Sequence, residues 1–193
     1  MNVLVLNGSP RPNGNTSAMV AAFVEGATEN GHTVEVINVC KKKIAGCIGC
    51  EYCHNKEQGV CIQKDDMQEI YPVLDRAEVI ILASPVYYHN ISGQLQSTMS
   101  RIYALGKPKQ LRKCGMLLSS RIDDIFSGIV EIHRTTARIM GVEDIGIITS
   151  VGEEHAVPEL RREMIESGFA SANVDKEKSQ KKLEEIREFG RSL

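Results

Sequence analysis

The chain has 193 residues, 42% of them hydrophobic and 25% charged, with a formal net charge of -2. That length suits one domain with a sizeable core, and the near-neutral balance leaves no basic stripe for nucleic acid or an anionic membrane surface. No apolar run approaches the roughly 20 residues needed to span a bilayer.

Asn2–Asn7 is a short apolar run closed by the turn signal Gly8-Ser9-Pro10, and it reads as a first strand. Met19, Ala22, Phe23 and Gly26 then follow the spacing of one helix face within Thr16–Asn30, and Asn30-Gly31 is the stop signal. The β-branched stretch Thr33–Val39 predicts strand two. A cysteine-rich loop over 40–62 follows, and a helix starts near Asp65-Asp66, whose side chains can cap it, and ends near Arg76. Val79–Ala83 predicts strand three, Ser92–Leu105 a helix and Cys114–Leu118 strand four. Asp123–Met140 predicts a long helix with Ile129, Ile132 and His133 on one face, and Ile145–Thr149 predicts strand five. Two more helices are expected, at Pro158–Ser167 and Lys176–Phe189. The chain thus divides into a sheet domain over 1–150 and a helical extension over 151–193, a surface appendage or an oligomer contact.

Alternation of strand and helix predicts a doubly wound, five-stranded parallel sheet with helices on both faces. Strands that are apolar throughout, rather than at every second residue, agree with a sheet covered on both sides. Such a sheet binds its ligand at the carboxyl ends of the strands, at the topological switch point. The loops after strands one, three and four are therefore the candidate site.

The first of these loops is Gly8-Ser9-Pro10-Arg11-Pro12-Asn13-Gly14-Asn15-Thr16, leading into a helix. Ser9, Asn15 and Thr16 offer hydroxyl and amide donors beside free helix N–H groups, an arrangement suited to an anion. It lacks the lysine-containing pattern of a triphosphate loop and the glycine pattern of a dinucleotide turn, and suits a single terminal phosphate. A plain βα turn has much the same composition. The second loop, Ser84-Pro85-Val86-Tyr87-Tyr88-His89-Asn90-Ile91-Ser92, offers two flat rings and exposed backbone groups. Core cover or an interface would also use such tyrosines.

These two loops resemble the FMN-binding segments of flavodoxin-like NAD(P)H-dependent FMN reductases over about residues 1–150. The resemblance implies FMN, with its phosphate held by Ser9, Arg11, Asn13, Asn15 and Thr16. It implies a flavin ring bordered by Pro85, Val86, Tyr87, Tyr88 and Asn90, with Ser119 and Ser120 contributing from the loop after strand four.

Cys47, Cys50, Cys53 and Cys61 are four of six cysteines, packed into one loop. The chain begins directly with Val3-Leu4-Val5-Leu6 and shows no leader, so a cytoplasmic location is expected, where clustered thiols bind metal more often than they pair. Overlapping C-x-x-C units with a local fourth cysteine suit a cubane iron–sulfur cluster, tetrahedral zinc or a redox thiol pair. His54, the Lys41-Lys42-Lys43 run, Cys40 and Cys114 read as a loop residue, a solvated charge run and two small apolar fillers. The compact spacing resembles that of the iron–sulfur flavoproteins, which implies a [4Fe–4S] cluster on these four residues, with zinc as the alternative.

The resemblance further implies an FMN-dependent oxidoreductase fed by NAD(P)H or a ferredoxin-like donor and discharging to a small acceptor, assembled as a homo-dimer or homo-tetramer. The competing expectations are an NAD(P)H-dependent FMN or quinone reductase without a cluster, a non-enzymatic flavodoxin-type carrier and a thiol redox sensor.

Overall fold

The computed structural model describes residues 1–152 and 175–193. In chain order it contains β1 (Asn2–Asn7), α1 (Asn15–Glu29), β2 (Thr33–Asn38), the single turn α2 (Tyr52–Asn55) and α3 (Met67–Arg76). There follow β3 (Val79–Tyr87), β4 (Asn90–Ile91), α4 (Gly93–Ile102), β5 (Lys113–Ser120), α5 (Ser127–Met140), β6 (Glu143–Val151) and α6 (Lys176–Arg191). Five strands run parallel in the order β2-β1-β3-β5-β6, and the short β4 pairs antiparallel with β3. The order reverses at β1, which places the switch point between the loops after β1 and β3.

The continuous apolar strands are explained by a two-faced core. Val3 and Val5 of β1, with Val79 and Ile81 of β3, face one layer, whereas Leu4, Leu6, Ile80 and Leu82 face the other. Each fully buried side chain of this size contributes about 1.5–3 kcal/mol. The central strands dominate that gain, because the edge strand β2 leaves Val36 36% exposed.

One face is covered by α1 and α6. Met19, Ala22, Phe23 and Gly26 of α1 are buried as their spacing predicts. Against them, Ile186 of α6 is 0% exposed, and the Phe23 and Phe189 rings stand 5.8 Å apart. The helices meet at glycines: a Cβ on Gly26 would collide with the Arg187 carbonyl, and one on Gly190 with the Phe23 carbonyl. Arg187–Glu25 (2.6 Å) and Arg191–Glu29 (2.7 Å) flank that contact. The expected helix at Pro158–Ser167 lies outside the described residues.

On the other face lie α3, α4 and α5. The helix expected from Asp123 begins only at Ser127, because Asp124 takes a left-handed φ of 61° and breaks the turn. Ile129 and His133 are buried, but Ile132 is 62% exposed: it sits beyond the edge of the face that Ile129, His133 and Ala137 define. His133 Nε2 contacts Asp144 Oδ1 at 3.3 Å and Cys114 Sγ at 3.8 Å. Burial pushes the Cys114 thiol up to about 11, so it stays protonated as an apolar filler.

The close approach of α6 and α1 makes Gly190 intolerant of a side chain. Gly190→Leu is expected to lower stability by about 1–3 kcal/mol through overpacking, measured as a reduced urea midpoint. An unchanged midpoint would show that the two helices are not held at this distance.

Candidate functional site at the carboxyl end of the sheet

Three strands are tied together at Gly8, which follows β1. Its N–H donates to the Ala83 carbonyl midway along β3 (2.8 Å), and its carbonyl accepts from Cys40 Sγ after β2 (3.2 Å). A Cβ here would stand 2.6 Å from Ser92 Oγ and 2.8 Å from Leu95 Cβ. Only glycine lets the start of α4 come down on the end of β1.

Beyond Gly8 the loop is braced by its own polar groups. Ser9 N–H donates to Asn7 Oδ1 (3.0 Å), Ser9 Oγ lies 3.2 Å from the Arg11 carbonyl, and Ser17 Oγ donates to the same carbonyl (2.9 Å). Ser9 and Thr16 are buried, whereas Arg11 and Asn13 are exposed. Thr16 Oγ1 and Ser119 Oγ are 2.7 Å apart, which ties the loop after β1 to the end of β5. Asn15 Oδ1 is buried at the start of α1 with no hydrogen-bond partner. An amide side chain can turn to present its NH₂ instead. Together with the free N–H groups of the first helical turn, it fits an incoming anion such as a terminal phosphate.

The expected second loop is a strained hairpin. β3 runs four residues past its expected end, Tyr87 pairs with Asn90, and Tyr88 and His89 form a two-residue turn between them. Both have positive φ, 49° and 63°. Turns of this kind favour Asn-Gly, and a bulky residue held there costs about 1–3 kcal/mol. The result presents Tyr88 99% exposed and Tyr87 44% exposed, with Pro85 and Val86 half-buried below them. Ser84 Oγ accepts from Ser92 N–H (2.9 Å) and closes the hairpin's base. Ser120, buried beside Ser119, accepts from Ile122 N–H (3.2 Å). An apolar cleft of ≈ 380 Å³ between α4 and α5 has Asn90 and Ile91 in its wall, and no residue of the 8–16 loop lines it.

The cysteine loop leaves the same end of the sheet. Its neck is closed by α4. Arg101, 1% exposed, donates Nη1 to the Ala45 carbonyl (3.0 Å) and to Asp65 Oδ2 (2.7 Å). Asp65 accepts in turn from Ala45 N–H (3.1 Å) and Met67 N–H (3.1 Å), and Asp66 accepts from Lys43 N–H (2.8 Å). The capping role expected of these aspartates is thus shared with the loop's own entry strand. Burial works to raise the Asp65 carboxyl, but Arg101 and these N–H groups hold it below its ordinary value.

Cys47, Cys50, Cys53 and Cys61 all line one cavity of ≈ 20 Å³, together with Arg101 and Tyr103. Cys53 and Cys61 are buried, Cys47 and Cys50 exposed, and all six cysteines of the chain are free thiols. Among the described residues no three His, Cys, Asp or Glu side chains stand close enough together to hold a metal ion. The four thiols are therefore gathered but not closed into a ligand set. A physical reason is at hand. Burial pushes the Cys53 thiol up, and Cys61 and Cys50 add to the rise, so Cys53 resists ionising beside them without a cation at hand. Donor chemistry and shared cavity fit a thiolate-bound metal group, and one larger than a single ion must displace the exposed Cys47–Cys50 segment. His54 faces away from the cavity and packs edge-on against Tyr103, 4.6 Å between rings, with Nε2 3.1 Å from the Tyr103 carbonyl. Lys42 pairs with Glu69 (2.6 Å).

The family described as NADPH-dependent FMN reductase matches residues 1–129. An iron–sulfur flavoprotein of Methanocaldococcus jannaschii is 41% identical over 112 residues, 58% of this chain and 57% of that protein. A second from the same organism is 40% identical over 122 residues, 62% of this chain and 61% of its own. An iron–sulfur flavoprotein of Archaeoglobus fulgidus is 37% identical over 112 residues, 58% of this chain and 50% of its own. The match thus spans between 50% and 61% of the length of these relatives. Among solved structures, an NAD(P)H:quinone oxidoreductase from Methanothermobacter marburgensis superposes with a TM-score of 0.70 at 20% identity, covering 100% of this chain and 96% of its own. An FMN-dependent NADH-azoreductase from Bacillus anthracis gives 0.69 at 18% identity, with 100% and 99% coverage. These two likenesses show the fold.

The hairpin strain is open to direct measurement. Replacing Tyr88-His89 by Asn-Gly is expected to raise stability by about 1–2 kcal/mol, read from the urea midpoint. A midpoint at or below that of the parent protein would mean that the turn stores no strain.

Proposed function

The chain belongs to the NADPH-dependent FMN reductase family, and from that premise we propose that it is a flavin-dependent oxidoreductase coupling FMN to a [4Fe–4S] cluster. The observation that carries the proposal is the junction at Gly8, where the candidate phosphate loop, the Tyr87-Tyr88 hairpin and the start of the cysteine loop are joined by hydrogen bonds and close packing. Two candidate redox centres therefore leave one end of one sheet.

When bound, FMN accepts a hydride as a two-electron unit and releases electrons singly, and a cluster passes single electrons. The chain's own residues supply position. Ser9, Asn15 and Thr16, with the first turn of α1, hold the terminal phosphate, and Arg11 and Asn13 border it from the exposed rim. Pro85, Val86, Tyr87, Tyr88 and Asn90 flank the flavin ring and exclude water from one side of it. Ser119 fixes Thr16, and Ser120 orders the adjoining turn. Cys47, Cys50, Cys53 and Cys61 hold the cluster. NAD(P)H or a ferredoxin-like protein is the electron donor in this reading, with a small molecule as acceptor. No helix among the described residues is long and apolar enough to cross a membrane. Assembly as a homo-oligomer is supported by two exposed apolar residues of α5, Ile132 (62%) in the wall of the apolar cleft and Ile139 (77%) seven residues further along the helix.

A second reading, an FMN reductase of the same family without a cluster, is favoured by the unclosed arrangement of the thiols. Anaerobic purification followed by an absorption spectrum and iron, sulfide and zinc analysis separates the two. Flavin with iron and sulfide in equal amounts is expected. Flavin without either, after that treatment, sinks the cluster, and no flavin even after reconstitution with FMN sinks the wider reading. Thr16→Val, which removes the hydroxyl bonded to Ser119, is expected to weaken FMN binding about tenfold, or about 1.4 kcal/mol.

A further inference from the structure

The buried Arg101 carries more donors than the neck of the cysteine loop uses. Nη1 serves Ala45 and Asp65, and Nη2 reaches the Gln63 carbonyl at 3.5 Å. Nε is buried with no hydrogen-bond partner. A charged donor left in this state costs more than a neutral one. Native proteins keep such a group where a ligand or ion completes it. Arg101 also lines the cavity that the four cysteines line. Burial opposes its charge, while Asp65, Tyr71 and Cys61 favour it. Tyr71, whose hydroxyl donates to the Arg101 carbonyl (3.1 Å), completes the wall behind Cys61.

Charge counting gives this donor its partner. Four thiolates around a divalent ion carry a net charge of about −2, and thiolate-bound groups are tuned by N–H donors and charges outside the ligand set. Asp65 neutralises Arg101 only at the neck, through Nη1. The unpartnered Nε–H belongs to a side chain that lines the same cavity as the four sulfurs. A neutral apolar occupant of the cavity would leave Nε unsatisfied, and a cation without thiolates would be repelled.

We propose that Arg101 is the counter-charge of the cysteine cavity, a positioning residue whose Nε–H and positive charge stabilise the thiolates when they ligate a metal group. This rests on the four-cysteine reading given above. The same side chain then has two roles: it closes the neck of the loop and makes the loop's interior receptive to an anionic, sulfur-ligated centre.

Cd²⁺ binding to the reduced, metal-free protein, followed by thiolate-to-metal absorption, tests it. Arg101→Gln removes the cation and opens the neck. Asp65→Asn opens the same neck and leaves the cation in place. Far-UV circular dichroism and thermal midpoints are recorded for both. Arg101→Gln is expected to bind Cd²⁺ about 10–100-fold more weakly than the parent, while Asp65→Asn binds as tightly or more tightly. In protein reconstituted with iron and sulfide, the two variants are expected to shift the cluster potential in opposite directions, Arg101→Gln downward. Equal losses in the two variants would reduce Arg101 to a structural clamp and overturn the proposal, as would undiminished binding by Arg101→Gln. Failure of the parent protein to show thiolate-bound Cd²⁺ would overturn the four-cysteine site and the counter-charge together. Should Arg101→Gln not fold, Arg101→Lys carries the same comparison: it keeps the charge without the fork and is expected to lie between the parent and a tenfold loss.

Discussion

Everything at the functional end of this sheet depends on how closely the chain can approach itself at Gly8. With no Cβ in the way, Ser92 and Leu95 at the start of α4 settle onto the end of β1. Ser84 then closes the hairpin base below the paired tyrosines. Gly8 also offers its carbonyl to Cys40, which fixes where the cysteine loop sets out. One missing methyl group therefore registers three loops against one another. The parallel sheet supplies the platform, since burying β1 on both faces forces its end to emerge between those of β2 and β3.

A second constraint is electrostatic. A buried arginine–carboxylate pair gains little over an apolar pair of the same volume, yet losing either partner typically costs about 3–5 kcal/mol. Arg101 and Asp65 therefore define the geometry of the neck more than they stabilise the fold at large. They bind backbone on both sides of the loop, so the segment between Ala45 and Gln63 is closed at its base however its interior moves. Exposed Cys47 and Cys50 can shift toward buried Cys53 and Cys61 without unravelling the sheet.

Much of this was legible in the sequence, and the divisions follow physical lines. Apolar runs gave the strands because a strand covered on both faces has no polar positions to disguise it. The 8–16 loop was legible because glycine and proline restrict backbone conformation in a recognisable way. The hairpin at Tyr88-His89 was not, because neither residue favours a left-handed conformation and only the paired strand holds them there. Arg101 was missed for a similar reason: a cation within an amphipathic helix reads as solvent-facing until its partners Asp65, Ala45 and Gln63 arrive from a distant loop. Ile132 was assigned to the core face by spacing alone, although the buried arc of α5 is too narrow to include it. In the cysteine loop, spacing identified which thiols gather in one cavity but not how far they converge, since that depends on how a loop with little regular structure folds.

The distribution of strain and unsatisfied polarity locates function independently of any family likeness. Among the described residues, the non-glycine positions with left-handed backbone are Glu51, Tyr88, His89 and Asp124. Glu51 lies in the cysteine loop, Tyr88 and His89 in the hairpin after β3, and Asp124 in the loop after β5. The buried side-chain atoms left without partners are Asn15 Oδ1 at the phosphate loop and Arg101 Nε at the cysteine cavity. Among the described residues, the strands of the parallel sheet show neither feature, although they hold much of the buried core. A fold selected for stability alone would relieve such costs, each worth about 1–3 kcal/mol, wherever a glycine, an asparagine or an apolar residue could be substituted. They fall in loops and on helices next to the carboxyl end of the sheet, where ligands of such sheets bind. The two unpartnered atoms stand at two separate places, Asn15 at the start of α1 and Arg101 at the cysteine cavity.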